Sequence, residues 1–136
     1  MKRIGILKFS FGVAALSMSL LTISCSSYGE QKTFNGTQVF YTSAVTLSDV
    51  DRLGEYLVDS GFADGEEKSV QLNKTGNTYE FRMVVKKGIE QDQEYRNLGK
   101  LLAAEISENC FNGSQVDTHF CDENLKTLIV LPMATY

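Results

Sequence analysis

The chain has 136 residues, one His, three Cys and no Trp, a length that suits a single ordinary domain. All 17 acids lie beyond residue 25, whereas Lys2, Arg3 and Lys8 are three of the 13 bases, so the chain from Cys25 onward carries ten bases against 17 acids, a formal charge of −7. A field of that sign excludes nucleic acid and anionic headgroups as electrostatically favoured partners and fits a solvated acidic surface.

The N-terminus has the layout of a secretory signal. Met1-Lys2-Arg3 and Lys8 give a positive start, and an apolar run follows from Phe9 to Ile23. That run is shorter than the ~20 apolar residues that span a bilayer. Its ending, Leu21-Thr22-Ile23-Ser24-Cys25, resembles the lipobox of bacterial lipoproteins, with Thr22 where that motif most often has Leu. The resemblance implies that residues 1–24 are removed and that Cys25 is lipidated, with palmitate among the acyl chains. It places the domain outside the cytoplasm, on a membrane of the bacterial cell envelope. Ser26 after the cysteine implies the outer membrane if the cell is Gram-negative. An ordinary cleaved signal and an uncleaved N-terminal anchor are the alternatives. Residues 25–36 then read as a lipidated cysteine and polar tether, and residues 37–136 as one domain.

Thr37 to Thr42 is β-branched and aromatic, hence a strand. Thr46 or Ser48 opens a helix, each with an Asp three residues on, and Val50, Leu53, Leu57 and Val58 give its apolar stripe. Ser60-Gly61-Phe62 ends it. Ser69 to Asn73 and Thr78 to Lys86 alternate around a Gly-containing turn and form a hairpin, with Tyr79, Phe81, Met83 and Val85 on one face. Asp92 caps a second helix reaching about Phe111, with Tyr95, Leu98, Leu102 and Ile106 on its stripe and Gly99, Ala103 and Cys110 beside them. Val116 to Cys121 and Thr127 to Leu131 are the last strands. Asn35, Asn73 and Asn112, each in an Asn-x-Ser/Thr match, read as turn chemistry.

The order β-α-β-β-α-β-β predicts an α+β two-layer sandwich with both helices on one face of the sheet. Right-handed crossovers then place the first and third strands side by side, a ferredoxin-like arrangement with one extra strand. The body, with Tyr41-Thr42, Leu57-Val58-Asp59-Ser60-Gly61-Phe62, Phe111-Asn112-Gly113 and Cys121-Asp122, resembles a small uncharacterised domain of membrane-attached bacterial proteins. That resemblance implies no activity and brings no catalytic residue.

Chemistry is sparse. His119 is the one His, and it shares a strand face with Asp117 and Cys121, ~6.6 Å apart from neighbour to neighbour. A tetrahedral metal site needs two further donors, so no metal, cofactor or catalytic residue is assigned. Cys110 and Cys121 are expected to stay unpaired, because the chain runs ~20 Å from the turn before reaching Cys121, well past the ~7 Å Cα limit of a disulfide. No Walker loop, dinucleotide fingerprint or zinc-protease motif occurs. The leading reading is a non-enzymatic envelope lipoprotein, bound to the membrane through its lipid, that binds another protein or a second copy of itself. The alternatives are a small hydrolase or redox protein using His119 or Cys121, and an inhibitor of a cationic envelope-directed enzyme. Alternation puts Phe40 and Val84 on the sheet face away from the helices. The last strand adds Ile129 and Leu131, or Leu128 and Val130, since both its faces are apolar. The expected interaction face is Phe40, Val84, Ile129 and Leu131.

Overall fold

The computed structural model describes residues 28–135; the expected signal segment, the expected lipidation of Cys25, and Tyr136 lie outside the described residues. The elements are β1 (Glu30–Phe34), β2 (Thr37–Tyr41), α1 (Leu47–Asp59), β3 (Lys68–Thr75), β4 (Thr78–Val84), a short 3-10 turn (Ile89–Gln91), α2 (Gln93–Cys110), β5 (Val116–Cys121) and β6 (Thr127–Pro132).

The class is the one expected, an α+β domain with two helices on a mixed sheet, and from β2 onward the elements follow the expected order. The strand order differs from the ferredoxin-like expectation. All six strands lie in chain order across the sheet. β2 pairs parallel with β3, β4 parallel with β5, and the remaining neighbours pair antiparallel. The first and third expected strands, β2 and β4, are thus not neighbours.

Both helices nevertheless cover one face. Val39, Val70, Met83, Phe120 and Ile129 are successive cross-strand partners, and they pack with Val50, Leu53 and Leu57 of α1 and Ala103 and Ile106 of α2 in one core. A sheet in chain order, two parallel pairs running in opposite directions and helices on one side require two crossovers of opposite hand. One of them is therefore left-handed, against a preference of about 98% for the right.

The second departure is β1, which lies in the stretch expected to be tether. Asn35 and Gly36 both have positive φ, 45° and 90°, as a two-residue hairpin turn of the favoured twist requires. They return the chain from β1 to β2. Phe34 is the cross-strand partner of Thr37 and so points to the helix side, where it packs on the core. It occupies the space beside Gly54 of α1 that any side chain there would fill.

The caps follow the sequence. Thr46 and Asp49 form a reciprocal capping box on α1, and the Asp92 carboxylate accepts from the Glu94 N–H at the start of α2. Val58, expected in the α1 stripe, is exposed instead. On α2 the buried residues are Gly99, Ala103, Ile106, Ser107 and Cys110, so the small residues meet the sheet and Tyr95 and Leu102 flank the contact. Small side chains let the helix come close: the Thr118 hydroxyl donates to the Gly99 carbonyl at 2.9 Å. The helices are tied to each other by Arg52 Nε to the Cys110 carbonyl at 2.8 Å and Tyr56 OH to Glu105 Oε1 at 2.7 Å.

Candidate functional site

The face of the sheet opposite the helices holds Asp117, His119, Cys121, Phe40 and Val84 of the groups singled out from sequence. Cross-strand register lines up Phe40, Gln71, Arg82, His119 and Val130 in one row. The adjoining row carries Gln38, Ser69, Val84 and Cys121. Phe40, Val84, Cys121 and Leu125 form a second, smaller apolar cluster, with Tyr28 packed against it. Tyr28 meets Phe40 edge to face at 5.4 Å between centroids, and its carbonyl accepts from Gln71 Nε2 at 2.7 Å.

Arg82 spans the far half of this face. Its Nη1 lies 3.1 Å from His119 Nδ1 and donates to Thr127 Oγ1 at 2.8 Å, and its Nη2 donates to the Leu125 carbonyl at 2.5 Å. A guanidinium only donates, so His119 Nδ1 is the acceptor and the ring carries its proton on Nε2. Thr127 Oγ1 also lies 3.0 Å from Nδ1. Burial lowers the His119 pKa below the ordinary 6.5 and the Arg82 charge adds to this, while Glu80 and Asp117 oppose it. His119 is thus a neutral ring whose accepting nitrogen is already taken.

The cysteines fit no catalytic role. Burial pushes the Cys121 thiol up to about 11 and the Cys110 thiol up to about 12, and a reactive cysteine needs the opposite shift. Both are free and buried, Cys110 among the helix-side core and Cys121 on the opposite face. Among the described residues no group of three or more His, Cys, Asp or Glu is placed to hold a metal ion.

The expected interaction face does not form one exposed patch. Phe40 and Val84 do turn away from the helices, but each is only 2% exposed. Ile129 and Leu131 pack on the helix-side core. Register decides this: Ile129 pairs with Phe120 and Leu131 with Thr118, both on the helix side, while the bulge after Phe120 pairs Cys121 with Thr127 and leaves Leu128 without a partner. The exposed apolar residues of β6 are Leu128 and Val130, at 41% and 44%.

Sequence reasoning missed Lys68, which is 1% exposed. Its Nζ donates to the Phe62 carbonyl at 2.8 Å and Asp64 Oδ1 at 2.5 Å, and it closes the loop after α1. Burial pushes the Asp64 carboxyl up, and the hydrogen bonds from Lys68 and the Glu66 N–H outweigh this and hold it low. A lone Lys at a strand start carries no signal of such burial; the site is structural.

No helix among the described residues is long and apolar enough to cross a membrane. A family model described as a family N-terminal domain matches residues 31–132, which runs from within β1 to the end of β6. No curated protein and no solved structure matches the chain.

Proposed function

The chain belongs to the family defined by that N-terminal domain, and on this premise we propose that it is a lipid-anchored, non-enzymatic module of the bacterial cell envelope that binds protein through the edge of β6. The anchor reading rests on the signal layout and on Cys25, with the outer membrane as its destination if the cell is Gram-negative. Two acyl chains hold a protein stably where one is marginal. The tied-up His119 and the raised thiol of Cys121 speak against the hydrolase and redox alternatives.

The observation that carries the binding reading is the contrast between the two edges of the sheet. β1 is Glu-Gln-Lys-Thr-Phe, an edge with exposed charge, the usual guard against strand pairing. β6 is Thr-Leu-Ile-Val-Leu-Pro, without a charge and with exposed Leu128 and Val130. Its own guards, the bulge at Leu128 and Pro132, sit at its two ends, and the stretch between them offers unpaired backbone groups and the exposed Val130 to an incoming strand. The binding surface proposed is this edge, in place of Phe40, Val84, Ile129 and Leu131.

The test uses the native lipoprotein extracted in mild detergent. Wild type should migrate as a complex with a partner or a second copy. Leu128→Lys combined with Val130→Lys should migrate as a monomer with an unchanged melting curve. A partner-free, monomeric wild type overturns the binding reading. Cys25→Ala should leave the membrane fraction or accumulate as precursor, and normal processing with membrane partition overturns the anchor.

A further inference from the structure

The anchor and the fold together constrain which side of the domain meets the membrane. Tyr28 is seated on the open face of the sheet, its ring on Phe40 and its carbonyl on Gln71 of β3. Cys25 precedes it by three residues, and three residues reach at most ~10 Å when fully extended. The chain therefore starts from the side of the sheet opposite the helices. A helix layer is about 10 Å thick before its distance from the sheet is counted, so three residues cannot carry a lipid around it.

Charge does not choose between the layers. The helices carry seven acids and three bases, and the strand residues that face them add Glu30 against Lys32, Lys68 and Lys74. The open face has Glu80 and Asp117 against Arg82. Both layers are weakly acidic, so the short link from Cys25 to Tyr28 sets the orientation.

We propose that the open face of the sheet lies on the lipid headgroups, with the two helices turned outward. This rests on the lipidation of Cys25. A tether of 25–36 would have left the orientation free; with β1 in the sheet, only two residues of sequence separate Cys25 from Tyr28. Tyr28, half-buried on Phe40, then sits at headgroup level, where tyrosine is favoured.

The experiment places a fluorophore on single introduced cysteines of the full lipoprotein, reconstituted in phosphatidylethanolamine–phosphatidylglycerol vesicles that carry a headgroup nitroxide quencher. Cys110 and Cys121 are buried and do not compete for label. Thr33→Cys and Asp117→Cys lie on the open face, as partners of Gln38 and Glu80; Glu55→Cys and Leu101→Cys lie exposed on the helices. Fluorescence should be lost at the first pair and kept at the second. A Gly/Ser insert of about ten residues after Ser27, flexible enough to free the domain, should erase the difference while the protein stays with the vesicles. Equal loss at all four sites, or greater loss on the helices, in vesicle-bound wild-type-linker protein overturns the orientation. Absence from the vesicles together with an unacylated Cys25 by mass overturns the anchor, and this orientation with it.

Discussion

Arg82 and Thr127 hold the His119 ring on the open face of β5, brought there by the parallel pairing of β4 with β5 and the register of β6. The consequence is a stability that depends on pH. Burial and Arg82 hold the folded pKa below the ordinary 6.5, so on acidification the unfolded chain takes up the proton first. Stability contributed by the neutral ring is complete above that value and declines as pH falls through it toward the folded pKa. Chemical denaturation of wild type and His119→Asn between about pH 7.5 and 5.5 should show a steeper acid-side decline in wild type. Parallel curves would mean that His119 titrates alike in both states. The strand face of His119 followed from alternation; Lys68 is the opposite case, a buried amine with no trace in local sequence. Its burial is set by the Phe62 carbonyl and Asp64, which the loop after α1 brings back to the strand.

At the level of elements, the strongly periodic segments were readable and the polar edge was not. β4, with Tyr79, Phe81 and Met83 on one face, and α1, with its Thr46–Asp49 box, match their sequence patterns. β1 escaped because four of its five residues are polar; the available signal was the Asn35-Gly36 pair, a hairpin turn in its own right. What holds this polar strand down is Phe34 beside Gly54. A helix-interior Gly→Ala change ordinarily stabilises by about 1 kcal/mol. Here the added methyl would overlap the Phe34 ring, and overpacking costs typically ~1–3 kcal/mol. Gly54→Ala should therefore destabilise, and Phe34→Ala in that background should recover stability, although Phe34→Ala alone is destabilising. A double-mutant cycle by urea denaturation measures this. If the two losses simply add, Phe34 does not sit against Gly54.

For the whole molecule, binary patterning gave the α+β class and both helices on one face, while the strand order was set by something patterning does not encode. Applying right-handed crossovers to both β-α-β units forces β2 and β4 together. The chain instead keeps every strand beside its sequence neighbour and accepts one crossover of the disfavoured hand. Neighbour pairing keeps contacts local, which lowers the loop-closure entropy to be overcome in folding, and the close approach of α2 at Gly99 ties its helix to β5. This order has a consequence for how the fold opens. β1 and β6 each hold one neighbour, and either can peel away without breaking the pairs inside them. β3 and β4 are flanked on both sides and carry Val70, Leu72, Phe81 and Met83 into the core. Native-state hydrogen exchange should thus find the amides of β1 and β6 opening at the lowest free energies and those of the β3–β4 pair only with global unfolding. If β1 or β6 amides exchanged as slowly as those of β4, the edges would be bound into the central cooperative unit, and a freely offered β6 edge would lose its physical basis.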